Sequence, residues 1–212
     1  MTAFSPYGDI AASAIYHLLF ADDPSAFAAR DGTPPAPWQA LLAAEPGDAA
    51  AIRGLADDPA QESRVRALAC LWLRLHGEPV AAKTLFGVVV EVPLDSGLDV
   101  LAAYDDGGVR YLNQSGAMSI FEGAVPALQG EVRAALDAAR TVVARIGPWD
   151  KPRLPPPVAG NVRLSFIVSD GLYFGEGPYQ ALAQDGLAGP LLQHATALLQ
   201  AVVAMTAPAG GR

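Results

Sequence analysis

Residues 83–104, KTLFGVVVEVPLDSGLDVLAAY, decide the fold, because the hydrophobic pattern of the chain changes there. The segments KTLFGVVVEV and LDVLAAY alternate with a period of two and are rich in valine, leucine and aromatic residues, as strands are. The PLDSG segment between them is too short for a parallel crossover, so the two strands must be antiparallel. This stretch therefore predicts a β-hairpin at the start of a sheet.

Two further strands extend the hairpin into a meander. VRYL at 109–112 and MSIF at 118–121 follow with short apolar patterns of the same kind. The turns between the strands are DDGG at 105–108 and NQSG at 113–116. Asp-Gly and Gly-Gly pairs between apolar segments are strong hairpin signals. Four consecutive antiparallel strands are therefore expected.

The chain after the meander adds helices and one more strand. A helix is predicted from Pro126 to Ile146, and the proline-rich segment GPWDKPRLPPPVAGN leads from it to a fifth strand, VRLSFIV at 162–168. This strand is expected to rejoin the same sheet. Two final helices are predicted to begin near Pro178 and Pro190, since proline is favoured in the first turn of a helix.

The N-terminal part of the chain contains helical patterns and no convincing strand. The clearest helix lies in DPAQESRVRALACLWLRLHG, where Asp58 is the expected N-cap and Pro59 the first helical residue. Gln61 would complete a capping box with Asp58. Gly77 is expected to end the helix, because glycine readily adopts the left-handed conformation that follows a helix C-terminus.

Together these patterns predict an α+β fold. Residues 1–80 form a helical N-terminal region, and residues 81–212 form an α+β region with an antiparallel meander sheet of about five strands packed with helices. We expect the two regions to share one core.

Charge and cysteine content narrow the classes of partner. The formal net charge is −8, and no basic stripe is present that could neutralise phosphates. This argues against nucleic-acid binding and would steer the protein toward a basic protein partner. Cys70 is the single cysteine, so no internal disulfide is possible. A reducing compartment, and hence a cytoplasmic protein, is expected.

Neither a secretion signal nor a membrane span is expected. The first basic residue is Arg30, so the N-terminal stretch lacks the charged region of a signal peptide. The apolar stretch between Pro190 and Pro208 carries Gln193 and Gln200 seven positions apart, on one helical face. Apolar residues form the opposite stripe, and this pattern predicts an amphipathic core helix.

The hairpin contains three acidic residues, Glu91, Asp95 and Asp99. With PLDSG as the loop, Glu91 lies opposite Asp99, and directly opposed side chains place their Cβ atoms about 4.5–5.5 Å apart. Arg110 of the third strand would share their face, so these residues are candidates for acid–base catalysis or a hard-cation site. The alternative places both carboxylates at the exposed end of a half-solvated hairpin. We favour the alternative, because a change of one residue in register would separate the pair.

A second candidate site lies in SDGLYFGEGPYQAL, which begins at Ser169. The pattern predicts a glycine-rich bend between a strand and a helix. It does not continue as GxGxxG, because position 180 is glutamine. Polar residues on loops are nevertheless common binding groups. The candidate binding residues are Asp170, Tyr173, Glu176 and Tyr179 of this segment, with Asn113 and Gln114 of the NQSG turn.

The remaining motifs favour binding over catalysis. The three histidines have no metal-ligand spacing, and no nucleophile elbow, P-loop or zincin pattern occurs. We therefore predict no cofactor and no metal. The leading hypothesis is a soluble, non-catalytic bacterial protein, either a regulator, an accessory subunit or an immunity-type protein that masks a basic partner. The alternative is a small-molecule or metal-dependent hydrolase that uses Glu91, Asp99 and Arg110.

Overall fold

The computed structural model describes residues 4–29 and 32–206, with one antiparallel sheet at the centre. The strands are β1 (Leu85–Leu94), β2 (Gly97–Tyr104), β3 (Val109–Leu112), β4 (Met118–Phe121), β5 (Asn161–Val168) and β6 (Gly171–Pro178). Their order in the sheet is β4-β3-β2-β1-β5-β6. The first four strands form the predicted meander, and β5 returns to lie beside β1.

Helices cover both faces of this sheet. They are α1 (Ile10–Leu18), α2 (Pro37–Leu42), α3 (Ala49–Asp57), α4 (Ser63–Leu75), α5 (Gln129–Val143), α6 (Tyr179–Ala183) and α7 (Ala188–Thr206), with a short 3₁₀ helix at Pro24–Phe27. The predicted α+β class is confirmed. The sheet has six strands rather than about five.

The helices form two layers. Helices α1 to α4, here called the N-terminal layer, pack on the sheet face that carries Phe86, Val89 and Val100. Helices α5 and α7, the C-terminal layer, pack on the face that carries Val88 and Val90. From Val88 onward, successive residues of β1 alternate between the two layers, as the period of a strand requires, and an irregularity between Leu85 and Gly87 shifts the register before that point. The hairpin is therefore buried on both faces along most of its length and is not half-solvated.

The helix before the sheet begins later than the sequence predicts. Asp58 ends α3, and its carboxylate accepts hydrogen bonds from the Ala60 N–H and from the Gln61 side chain. The predicted capping residues thus form the turn between α3 and α4, and α4 begins at Ser63. The predicted end is correct, since Gly77 has a φ of +77° and follows the last turn.

The predicted glycine-rich bend is wrong, because most of that segment is the edge strand β6. It pairs with β5 from Val168↔Gly171 to Asn161↔Pro178, and only Ser169 and Asp170 form the turn. Glycine lowers strand propensity, which hid this strand in the sequence.

Helix α7 is the predicted C-terminal core helix. Among the residues described, it is the one helix that is long and apolar enough to cross a membrane. Here Leu191, Leu198 and Val202 are fully buried in the core that α7 shares with α5.

Candidate functional site

The register of the first hairpin separates the predicted carboxylate pair. Glu91 lies opposite Val100, and Val92 lies opposite Asp99. The pairing Leu94↔Gly97 leaves Asp95 and Ser96 as a two-residue turn, so the loop is shorter than PLDSG. Because side chains alternate along a strand, this shift of one residue puts Glu91 and Asp99 on opposite faces. The predicted acid pair is therefore wrong.

Glu91 points into the N-terminal layer and is fully buried, with 0% exposure. The Tyr16 hydroxyl of α1 donates a hydrogen bond of 2.7 Å to Glu91 Oε1. The second oxygen, Oε2, has no hydrogen-bond partner among the residues described, and Arg163 Nη1 lies 3.9 Å from it. Burial raises the pKa of Glu91, and the Tyr16 hydrogen bond and the Arg163 charge lower it in part.

Arg153 extends this network into the linker between α5 and β5. Its Nη1 donates to the Tyr16 hydroxyl at 3.2 Å, and its Nε donates to Asp22 Oδ2 at 2.7 Å. The guanidinium also lies 3.8 Å from the centre of the Phe20 ring, within cation–π range. Burial, followed by the Glu91 charge, raises the pKa of Tyr16 far above its usual range, so this hydroxyl stays protonated. The network joins the linker, α1 and the sheet.

Arg163 connects Glu91 to the edge strand. Its Nε and Nη2 donate to Glu176 Oε2 at 2.9 and 2.6 Å, and its Nη1 donates to the Leu154 carbonyl at 3.1 Å. Glu176, a predicted binding residue, is thus the counter-ion of a buried arginine. The network is held by internal partners, and its central carboxylate is closed to solvent. Its chemistry is that of a structural ion pair with a titratable carboxyl at its centre.

Asp99 lies on the other face and is only half-buried. The Tyr111 hydroxyl donates to Asp99 Oδ2 at 2.8 Å, and the Gln114 N–H donates to Oδ1 at 2.7 Å. Gly97 makes this arrangement possible, since a Cβ there would overlap the Gln114 carbonyl oxygen. Burial and the hydrogen bond to Asp99 raise the pKa of Tyr111 above its usual range, which keeps the hydroxyl a donor.

A small apolar cavity of about 50 Å³ adjoins Asp99. Its walls come from the sheet and from α7, with Tyr111 and Tyr179 also in the lining. The apolar lining residues are Val90, Val92, Leu101, Leu192, Ala195 and Leu199. We call this cavity and Asp99 the Asp99 pocket. Three of the predicted site residues therefore lie together here. Asp99 and Tyr179 line the pocket, and the Gln114 N–H donates to Asp99.

Arg110 forms its ion pairs with Glu122 and Glu62 rather than with Glu91 or Asp99. Its Nη2 donates to Glu122 Oε1 at 3.0 Å and to Glu62 Oε1 at 3.4 Å, and its guanidinium lies 5.2 Å from the centre of the Tyr104 ring. The predicted convergence of Glu91, Asp99 and Arg110 is therefore absent in the part of the chain that the structure describes.

Three other predicted binding residues have local structural partners. Asn113 Oδ1 accepts from the Ser115 and Ala117 N–H groups and so closes its own turn. The Tyr173 hydroxyl donates to Asp170 Oδ2 at 3.0 Å. Tyr173 is fully buried, and Asp170 lies at the opposite end of β6 from Tyr179. These residues do not form one surface with the Asp99 pocket.

A larger apolar groove of about 370 Å³ lies in the N-terminal layer, lined by Phe27, Trp38 and Leu42 among others. Its described lining carries no charged side chain. The one lining amide, Gln39, is engaged by the Ala36 N–H and the Phe27 carbonyl. The groove thus offers volume but few polar groups to orient a ligand.

The Cys70 thiol is buried. Burial raises the pKa of the Cys70 thiol to about 11, so it stays protonated at neutral pH. Over residues 4–29 and 32–206, no group of three or more His, Cys, Asp and Glu side chains is arranged to hold a metal ion.

Sequence reasoning missed Tyr16 and Arg153. Tyr16 falls on the apolar stripe of α1 with Ala12 and Leu19, where it resembles an ordinary core aromatic residue. Arg153 lies in the proline-rich linker, 137 positions from Tyr16. Periodicity carries no signal for a contact of that separation.

No family model, no curated protein and no solved structure matches the chain.

Proposed function

We propose that the protein acts by binding a basic protein partner and that the Asp99 pocket holds a lysine or arginine side chain of that partner. The observation that carries the proposal is a fixed, partly exposed carboxylate beside an apolar cavity. Long cationic side chains bury an apolar stem and keep a charged head, which matches these two features.

Asp99 has the capacity for a further partner. An ionised carboxylate offers about four lone-pair sites. Tyr111 and Gln114 use two of them. Both of these donors are held by the sheet and its turn, so the carboxylate is oriented before a ligand arrives, and little side-chain entropy remains to be lost.

The size of the cavity favours a single side chain over a metabolite. Pockets for drug-sized ligands usually occupy about 300–1,000 Å³. The Asp99 pocket has about 50 Å³. It therefore suits the end of one side chain presented by a larger molecule.

Charge supports a basic partner. The formal net charge of −8 attracts cationic proteins over a distance of the order of the Debye length, about 8 Å at physiological salt. Asp95 is exposed at the tip of the same hairpin and adds a second negative charge near the pocket. The hydrolase hypothesis requires Glu91, Asp99 and Arg110 in one pocket, and no contact among them favours it.

The test is gentle purification from the native cells at low ionic strength, followed by affinity measurements with the recovered partner. We expect a basic polypeptide whose affinity falls at least about tenfold for Asp99→Asn, the loss of one charge-assisted contact. Asp137→Asn is the matched control, because its side chain is 74% exposed on α5. Equal affinity for the wild type and Asp99→Asn, or an acidic partner, would contradict the proposal.

A further inference from the structure

A third cavity lies where the N-terminal layer, the linker and the end of the β5–β6 hairpin meet. It has a volume of about 170 Å³, and we call it the junction cavity. Its apolar wall includes Phe20, Leu71, Ile167 and Leu172. Trp149 of the linker also lines it and is fixed there, since its backbone N–H donates to the Leu172 carbonyl at 2.7 Å.

The charge of this cavity is opposite to that of the whole chain. Arg74, Lys151 and Arg153 line it, with Asp22 as the acidic residue of the described lining. Asp22 is already paired with Arg153 through a 2.7 Å contact. Lys151 is exposed, and its Nζ lies 5.4 Å from the centre of the Trp149 ring. Among the residues described, Arg74 and Lys151 form no salt bridge, although the Asp170 charge acts on Arg74, and they are the cations available to a ligand.

Arg74 has an unmet hydrogen-bonding need. Its Nε–H is buried and has no hydrogen-bond partner among the residues described. Burial lowers the pKa of Arg74, although an arginine side chain keeps its charge in proteins. A buried donor of a charged group without a partner is costly. An anion in the junction cavity would stabilise this partly buried charge by pairing with the guanidinium.

The apolar wall and the volume define the rest of the ligand. A dry cavity of about 150 Å³ is known to accept one benzene ring. The junction cavity, at about 170 Å³, is of that size. We infer that the junction cavity is a binding site for a small aromatic carboxylate, with the ring against Phe20 and Ile167 and the carboxylate on Arg74 and Lys151.

Benzoate is the probe, and the Trp149 indole N–H is the reporter. Its NMR signal is identified from its loss in Trp149→Phe. We expect saturable shifts of this signal on titration with benzoate. Arg74→Met should weaken binding at least about tenfold, because a charge-assisted hydrogen bond is lost. Lys151→Met should weaken it several-fold and leaves the core untouched, since Lys151 is exposed.

Two controls separate a carboxylate site from a nonspecific apolar cavity. Arg133→Met removes an exposed arginine from α5, on the other side of the sheet, and should bind benzoate as the wild type does. Benzamide has the same ring without the charge and should bind much more weakly. An absence of saturable shifts, wild-type affinity in both Arg74→Met and Lys151→Met, or equal affinity for benzamide would overturn the inference.

Discussion

The C-terminal layer buries its face of the sheet with aliphatic and aromatic side chains, whereas the N-terminal layer also buries charged and polar groups. The buried polar residues of the sheet on that side are Glu91, Arg110, Arg163 and Ser165. The same strands thus present two chemistries, one to each layer. On the apolar side, the free energy of unfolding should depend on how much side-chain volume a substitution removes. On the polar side, it should depend on whether each buried charged group keeps its partner.

The largest expected effect is a cavity in the C-terminal layer. Phe166 is fully buried at 0% exposure. Phe166→Ala should lower the free energy of unfolding by about 3–5 kcal/mol, through lost transfer energy and an unfilled cavity. Urea unfolding followed by circular dichroism measures this. Val158→Ala is the control, since Val158 is 69% exposed, and a loss as large as that of Phe166→Ala would contradict the packing account.

The next largest effect on stability is expected from removing a buried cation in the N-terminal layer. Arg163→Met leaves Glu91 and Glu176 without their shared cation and should cost about 1.5–3 kcal/mol, the range for hydrogen bonds to charged groups. Arg133→Met, at an exposed arginine, is the matched control.

The double variant Arg163→Met, Glu91→Gln tests whether the two residues of this pair are energetically coupled. Removing both members of a buried pair is less harmful than removing one, so the two losses should not add. We expect a coupling energy of about 0.5–3 kcal/mol, as for groups in direct contact. Additive losses in a double-mutant cycle would mean that Arg163 does not stabilise the Glu91 carboxyl.

The smallest effect on stability is expected at Asp99. Asp99→Asn keeps an acceptor for Tyr111 or Gln114 and should lower the free energy of unfolding by about 1 kcal/mol or less. Partner binding should respond far more than stability does. A loss of stability as large as that of Arg163→Met would identify Asp99 as a structural residue rather than a binding group.

Local signals made the meander and the α+β class predictable. The DDGG turn at 105–108 and the NQSG turn at 113–116 carry their own conformational preferences and fix the strands on either side. The end of α4 at Gly77 was predictable for the same reason. At the other end of that helix the predicted N-cap was wrong, because Asp58 ends α3 and α4 begins at Ser63.

The candidate site was predictable only in part, because faces and partners depend on register and distant contacts. The sequence singled out Glu91 and Asp99 as candidate site residues, but not their surroundings. Their separation followed from a turn shortened to Asp95 and Ser96, which moves the side chains of β2 to the faces opposite to those predicted. The Arg153–Tyr16 contact joins residues 137 positions apart, and only the folded chain brings them together.

Glu91 is an interior carboxyl of the N-terminal layer, on the face of β1–β2 opposite to Asp99. Burial holds its pKa above the ordinary value of 4.5, so between the unfolded and the folded pKa the folded protein keeps a proton that the unfolded chain has released. The stability from this group is complete below the unfolded pKa and is lost as pH rises through the folded pKa. Glu91→Gln removes this titration.

The most direct measurement is therefore the free energy of unfolding as a function of pH, for the wild type and Glu91→Gln, from below pH 4.5 to neutrality. We predict that the variant gains stability relative to the wild type as pH rises above that value. The same relative gain should appear in an Asp99→Asn background, because the two carboxylates lie on opposite faces. A difference that does not change with pH, or one that disappears in Asp99→Asn, would contradict the account.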